Sequence, residues 1–175
     1  VKAEHITKSY GENQVLKDIS IHLEKGELVS LLGVSGSGKT TMFHILSGLV
    51  TPEEGKVYLN DKDVTSSPGS ISYMLQKDLL LEHKKVIDNV SLPLVLKGMK
   101  KKESRETASP LFAQFGLDGT QKKYPAQLSG GMKRRLGIAQ ALIHEPQVLI
   151  VDEPTAGLDP EERIRFRNLL SEVAQ

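Results

Sequence analysis

A glycine-rich loop stands between a short apolar run and an amphipathic segment in this chain of 175 residues. The loop reads Gly33-Val34-Ser35-Gly36-Ser37-Gly38-Lys39-Thr40 and fits the pattern G-x-x-x-x-G-K-[ST]. The apolar run before it, residues 28–32, is typical of a strand buried on both faces of a parallel sheet. The segment after it, residues 40–47, predicts a helix that ends at Gly48. Strand, loop and helix in this order predict an α/β fold.

The residue types of this phosphate loop (residues 33–40) suit the binding of phosphate groups. Its glycines let backbone N–H groups point at phosphate oxygens, Lys39 adds a positive charge, and the Thr40 hydroxyl can reach Mg²⁺. Because the loop opens a helix, the positive end of the helix dipole meets the same phosphates. The alternative interpretation, a plain glycine-rich turn, leaves Lys39 unexplained. We therefore predict that the protein binds ATP.

Two carboxylates follow a second apolar run, residues 148–151. Asp152 stands where a buried strand is expected to end, which suits it to hold Mg²⁺ through water opposite Thr40. Glu153 is expected to point elsewhere and can polarise an attacking water as a general base. The alternative is a capping or salt-bridging pair at the end of a strand.

The segment Leu128-Ser129-Gly130-Gly131-Met132, the signature segment, is a second candidate anion site. It opens a predicted helix of about residues 130–144, where a serine hydroxyl and backbone N–H groups can bind an anion. The alternative is that Ser129 only caps its own helix. One chain does not need two phosphate sites for one ATP, unless two copies each lend one site to the other's ATP.

Together these segments resemble the nucleotide-binding subunit of an ATP-binding cassette (ABC) transporter, and the resemblance covers essentially the whole chain. It implies that residues 33–41 are similar to the family's Walker A loop. Residues 150–153 are similar to its Walker B strand with the catalytic glutamate. The signature segment is similar to the motif that contacts the γ-phosphate of the ATP on the partner subunit.

Three further segments carry the resemblance. Gln76, after a predicted strand at 71–75, matches the Q-loop glutamine that contacts Mg²⁺ or water and senses the membrane partner. Gly157-Leu158-Asp159 matches the D-loop at the dimer interface, and Tyr10 matches an aromatic residue that stacks on adenine. The site residues that the resemblance implies are Glu153 and Gln76 for catalysis; Tyr10, Gly33, Ser35, Gly36, Ser37, Gly38, Lys39, Thr40, Thr41, Ser129, Gly130, Gly131 and Asp159 for nucleotide binding; and Thr40, Gln76 and Asp152 for Mg²⁺.

The implied fold is a P-loop NTPase (RecA-like) α/β core with a mostly parallel sheet, an antiparallel N-terminal β layer and an inserted α-helical subdomain. Alternating residues at 2–10 and 19–23 predict strands of the antiparallel layer, and a further strand is predicted at 56–59. Helical periodicity from about 78 to 125 predicts the inserted lobe, with breaks at Gly98 and Gly116. We expect one ABC ATPase domain over residues 1–175, with its core at about 1–77 and 140–175 and its helical subdomain at about 78–139.

The resemblance also implies how such a protein works. Two copies would close head to tail around two ATP–Mg²⁺ pairs, and hydrolysis would reopen them. That motion would drive an integral membrane permease, to which a solute-binding protein could deliver the solute. The protein would then lie at the cytoplasmic face of the cell membrane. The net charge of +1 gives no reason to expect nucleic acid as a partner.

The subgroup and two departures complete the comparison with the family pattern. The nitrate, sulfonate and taurine type of importer is resembled at Leu79-Leu80-Leu81, Val86-Ile87-Asp88-Asn89-Val90, Leu92-Pro93-Leu94 and Met132. Lipoprotein-releasing exporters share a similar leucine-proline-leucine stretch. Met132 stands where the general family has glutamine. The family's switch histidine would follow the D-loop helix, and His144 lies upstream of it. We therefore expect the chain to be incomplete at its C-terminus, with a nucleotide-binding module without hydrolysis as the alternative.

Other classes of protein fit the sequence less well. It has no cysteine for disulfides or thiolate metal sites, and no uncharged apolar run that approaches 18 residues. A GTPase would need an asparagine-lysine-x-aspartate motif, and residues 60–63 have the wrong order. A chromosome-maintenance ATPase would place a long coiled coil between the Walker segments, and a translation-associated protein would carry two cassettes.

Overall fold

The computed structural model describes residues 1–76 and 79–173. Contacts divide it into two compact units, residues 1–73 and residues 74–173. The expected boundary between core and helical subdomain, at residues 77 and 78, lies outside the described residues. The bounds of these two subdomains therefore stay a prediction.

The first unit contains a four-stranded antiparallel sheet in the order β2-β1-β3-β4. Its strands are β1 (Lys2–Tyr10), β2 (Asn13–His22), β3 (Glu54–Leu59) and β4 (Lys62–Asp63). Gly11, with a φ of +61°, makes the tight turn between β1 and β2. The sheet confirms the antiparallel N-terminal layer that the alternating residues predicted.

The helix α1 (Lys39–Leu46) lies between β2 and β3 in the sequence of this unit. Met42, Ile45 and Leu46 recur on one face of the helix and are buried. Gly48 follows it with a φ of +77°, and a Cβ there would lie 2.7 Å from the backbone of Ser67. Gly48 therefore ends the helix, as the sequence predicted.

The predicted strand at residues 28–32 is wrong. These residues have no strand structure, and the side chains of Leu28 and Leu32 are 69% and 93% exposed. A strand buried on both faces needs neighbouring strands and packed layers on both sides. The antiparallel sheet of this unit does not include residues 28–32, so their backbone groups have no neighbouring strand to pair with. In the described residues, the predicted mostly parallel sheet reduces to the pair of β5 (Ser72–Met74) and β6 (Leu149–Val151).

The second unit is mainly helical. Its helices are α2 (Val86–Leu96), α3 (Lys101–Gln114), α4 (Gly130–Leu142) and α5 (Pro160–Val173), and a short 3₁₀ turn covers Pro125–Gln127. Gly98 and Gly116 follow α2 and α3 with positive φ, which confirms the predicted breaks. The largest fully buried side chains of this unit are Phe112, Phe115 and Phe166, followed by Leu117, Leu136 and Ile138.

No helix within residues 1–76 and 79–173 is both long and apolar enough to cross a membrane.

Gly55 offers a stability test of the antiparallel sheet. Its φ is +89°, and an added Cβ would collide with the backbone carbonyl oxygens of Glu4 and His5 on β1. We expect Gly55→Ala to lower the free energy of unfolding by about 2–4 kcal/mol, because backbone strain and overpacking add. Urea denaturation of the purified protein measures the change.

Gly69→Ala is the matched control. Gly69 has a φ of +90° but nothing within 4 Å of an added Cβ. We expect this variant to lose only about 1 kcal/mol, since strain acts there without a collision. An equal decrease in the free energy of unfolding of the two variants would show that the close approach of β3 to β1 at Gly55 does not add to the cost.

Candidate functional site

The phosphate loop folds around the ammonium group of Lys39. Its Nζ donates to the carbonyl oxygens of Gly33 and Val34 at 2.7 and 2.9 Å, and to Ser37 Oγ at 3.3 Å. A Cβ on Gly33 would lie 2.7 Å from Ser37 Oγ, so a side chain there would force the Ser37 hydroxyl to move. The loop therefore presents a positive charge directly before a helix.

Gly38 sets where that helix begins. It is the N-cap of α1 with a φ of +87°, and a Cβ there would lie 2.9 Å from Leu16 Cδ2. The cap has no side-chain hydrogen bond. Thr40 and Thr41 lie in the first turn of α1, where backbone N–H groups and the helix dipole favour an anion. The exposed residues Ser35 and Gly36 precede them.

Tyr10 lies at the end of β1 in the same unit. Its side chain is 51% exposed, and Lys8 Nζ lies 5.6 Å from the ring centroid. An exposed aromatic ring with a neighbouring cation suits the stacking of a base.

Gln76 and Glu153 lie together in the second unit. Gln76 Nε2 donates a hydrogen bond to Glu153 Oε2 at 2.5 Å. Glu153 has a φ of +44°, which is uncommon for a residue other than glycine. The structure thus joins the two residues predicted to act in catalysis, although they are distant in sequence.

Asp152 lies beside them at the end of β6. Its backbone N–H donates to the carbonyl of Met74 at 3.0 Å, and the residue is only 4% exposed. Carboxylate, amide and hydroxyl oxygens are the ligands that Mg²⁺ prefers. Asp152, Gln76 and Thr40 therefore fit this ion chemically. Thr40 belongs to the first unit and the other two to the second.

Ser129 is the N-cap of α4, and its Oγ accepts a hydrogen bond from the Met132 N–H at 3.3 Å. The capping role that the sequence left open is therefore present. Ser129 and Gly130 are exposed, whereas Gly131 is buried. A Cβ on Gly131 would collide with the carboxylate of Glu162.

Glu162 and Arg135 are neighbours of the signature segment that sequence reasoning missed. Arg135 Nη1 donates to Glu162 Oε2 at 2.9 Å, and both side chains are largely buried. Asp159 Oδ1 accepts from the Glu162 N–H at 2.9 Å and so caps the start of α5. Because the contact between Arg135 and Glu162 joins α4 to α5, no local pattern in the sequence could reveal it.

Comparisons with known proteins agree on one family. A family model described as ABC transporter matches residues 16–156. The chain is 41% identical over 174 residues to the Fe(3+) ions import ATP-binding protein FbpC 1 of Rhizobium meliloti (strain 1021). This match covers 98% of the chain and 49% of the relative. It is 38% identical over 180 residues to the sulfate/thiosulfate import ATP-binding protein CysA 2 of the same strain, which covers 99% and 49%. The chain therefore spans about half the length of the curated relatives it matches.

Solved structures are similar as well. The dimeric post-hydrolysis state of the ATP-binding cassette MJ0796, bound to ADP and Pi, matches with a TM-score of 0.86 and 32% identity. The match covers 99% of this chain and 82% of that chain. A nucleotide-free ATP-binding cassette from an ABC transporter matches with a TM-score of 0.88 and 26% identity, covering 99% and 76%. These similarities confirm the predicted α/β fold class.

Proposed function

The chain belongs to the ABC transporter family, and we propose that it is the ATP-binding and ATP-hydrolysing part of a membrane importer. The observation that carries the proposal is the phosphate loop closed around Lys39 at the start of α1. The hydrogen bond between Gln76 and Glu153 adds a candidate hydrolytic pair.

In this proposal the first unit binds the nucleotide. Backbone N–H groups at Ser35, Gly36 and the first turn of α1 bind phosphate oxygens. When ATP binds, the ammonium group of Lys39 gives up its hydrogen bonds to the loop carbonyls and donates to the β- and γ-phosphates instead. Tyr10 stacks on the adenine ring. We expect the protein to prefer ATP to GTP, because the sequence has no asparagine-lysine-x-aspartate motif of the kind that recognises guanine.

The proposed groups for hydrolysis are Gln76, Asp152 and Glu153 of the second unit and Thr40 of the first. Thr40, Asp152 and Gln76 would hold Mg²⁺, which neutralises the charge of the phosphates when bound. Glu153 accepts a proton from the attacking water, and Gln76 orients the Glu153 carboxylate through its amide nitrogen. Positioning and charge stabilisation carry most of the rate enhancement in phosphoryl transfer.

A second copy of the chain would complete each ATP site. Ser129 and Gly130 are exposed at the N-terminus of α4, where an anion is favoured. We propose that they bind the γ-phosphate of the partner's ATP, with Gly131 shaping the turn and Asp159 at the interface. The solved relative MJ0796 is described as dimeric with ADP and Pi, which supports this arrangement.

The transport partners are proposed on the same basis. The names of the curated relatives favour import of ferric iron or of sulfate and thiosulfate over the nitrate, sulfonate and taurine subgroup. The protein would act at the cytoplasmic face of the membrane on a permease, which a solute-binding protein would serve. An exporter of the lipoprotein-releasing type, or a nucleotide-binding module without hydrolysis, is the alternative.

The proposed helical subdomain covers about residues 78–139.

Purification of the full-length protein from membranes tests the proposal. We expect an integral membrane permease to co-purify and the complex to hydrolyse ATP. An excess of unlabelled ATP should displace a bound fluorescent ATP analogue, and GTP should compete at least about tenfold less well. Release of no phosphate, or equal competition by GTP, would contradict the proposed ATPase.

A further inference from the structure

Asn89 is a fully buried polar residue on α2 that the proposed reaction does not use. Its side chain is 0% exposed, and its Oδ1 accepts from the Leu81 N–H at 2.7 Å. Its Nδ2 lies 3.2 Å from the carbonyl oxygens of Leu81, Lys84 and Lys85. One side chain therefore fixes both ends of residues 81–85, here called the connecting loop. This loop lies between Gln76 and α2.

The N-terminus of α2 is tied to the segment that leads into Ser129. The Val86 N–H donates to the Lys123 carbonyl at 2.8 Å, and the Ile87 N–H donates to the Gln121 carbonyl at 3.1 Å. Backbone N–H groups in the first turn of a helix have no partner within the helix. Here the segment at 121–123 supplies their acceptors, so the two segments move together.

Further hydrogen bonds continue from there to the signature segment. The Tyr124 N–H donates to Gln127 Oε1 at 2.9 Å, and the Gln127 N–H returns to the Tyr124 carbonyl at 2.9 Å. The Leu128 N–H donates to the Pro125 carbonyl at 3.0 Å. Ser129 follows directly as the N-cap of α4.

An ion pair makes a second link between the same parts. Lys133 Nζ on α4 lies 3.7 Å from Glu82 Oε1 on the connecting loop. Lys133 is one helical turn after Ser129, so this contact connects the loop to the start of α4. Both links lie within the second unit.

α2 itself is a rigid base for these links. Asp88, whose side chain is 12% exposed, accepts two hydrogen bonds from Arg105 on α3, each 2.8 Å long. Bidentate pairs of this kind fix orientation as well as distance. Val86, Val90 and Leu94 on α2 are buried in the core of the unit.

We propose that Asn89 is a positioning residue that fixes the connecting loop and, through the start of α2 and residues 121–128, the orientation of Ser129. The proposal rests on the proposed ATPase function, in which Ser129 binds the ATP of the partner copy. When the loop is held, the start of α4 keeps its orientation. When the loop is released, the start of α4 loses this support.

Hydrogen exchange of the full-length protein tests the mechanical link without any nucleotide. Asn89→Asp keeps an acceptor for the Leu81 N–H but loses the donor to three carbonyls. We expect faster exchange at residues 81–87 and also at 121–133. Ser104→Ala is the matched control, because Ser104 is 0% exposed and its hydroxyl donates to the Lys101 carbonyl of its own helix. Its effect should stay within α3, and faster exchange of Asn89→Asp at 81–87 alone would overturn the proposal.

ATP hydrolysis by the complex with its membrane partner tests the functional consequence. We expect Asn89→Asp to lower kcat about tenfold, with KM for ATP within about twofold, because positioning is lost while nucleotide binding is kept. Ser104→Ala should leave both within about twofold of wild type. A kcat for Asn89→Asp that matches wild type or Ser104→Ala would overturn the proposal. A wild-type complex without hydrolysis would instead contradict the proposed function, and the exchange result would still decide the link.

A charge exchange provides a test that does not disturb the core. Lys133→Glu places like charges together, and we expect kcat to fall about twofold to threefold, the scale of an exposed ion pair. Glu82→Lys in the same chain should restore it. Failure of the double variant to recover would overturn the link through α4.

Discussion

Glu153→Gln in the full-length protein is expected to lower kcat for ATP hydrolysis at least about 100-fold, since glutamine cannot accept the proton of the attacking water. ATP affinity should stay within about twofold, because the phosphate loop holds the nucleotide. Glutamine has the size of glutamate, and its Oε1 can accept the hydrogen bond that Gln76 Nε2 donates. We therefore expect a folded protein that binds ATP and does not release phosphate.

Glu145→Gln is the matched control for this substitution. Glu145 is also an exposed glutamate with a positive φ, +51° against +44° at Glu153. The control separates loss of the base from any effect of glutamine in the left-handed region. Its kcat should equal that of the wild type. Phosphate release by Glu153→Gln at the wild-type rate would exclude Glu153 as the general base.

Lys39→Ala is expected to weaken ATP binding about 10- to 100-fold, which is the value of a hydrogen bond to a charged group. The substitution removes the ammonium group and also its hydrogen bonds to the Gly33 and Val34 carbonyls. The loop would then lose both its charge and its closed form. Isothermal titration with ATP and Mg²⁺ measures the affinity.

Lys17→Ala controls for the loss of positive charge. Lys17 is an exposed lysine on β2 in the same unit, so the variant has the same net charge as Lys39→Ala. Its affinity for ATP should equal that of the wild type. Equal affinity in Lys39→Ala would refute the role of the phosphate loop.

Local patterns predicted those parts of the fold that depend on neighbours in sequence. The alternation in β1 and the glycines after α1, α2 and α3 mark elements that the structure contains. The prediction of a strand at residues 28–32 was wrong because an apolar run indicates a tendency to be buried, but does not supply the neighbouring strands that would bury it. Whether such a run becomes a strand depends on residues far away in the chain.

The same distinction applies to the candidate site. The phosphate loop could be found from sequence because all its groups lie within eight residues, from Gly33 to Thr40. The family resemblance gave Gln76 and Glu153 roles in one reaction, but nothing in the sequence predicted their contact, because 77 positions separate the two residues. No sequence pattern indicated the roles of Glu162, which lies beside Gly131, or of Asn89, which bonds to the connecting loop. A glutamate or an asparagine is distinguished from others of its type only by its tertiary contacts.

The central claim is that neither copy of the chain holds a complete ATP site. Sedimentation of full-length Glu153→Gln with saturating ATP and Mg²⁺ tests it most directly. We expect the mass of two copies, and the mass of one copy when Ser129→Leu is added, although that double variant still binds ATP. A single-copy mass for Glu153→Gln at saturating ATP and Mg²⁺ would contradict the account.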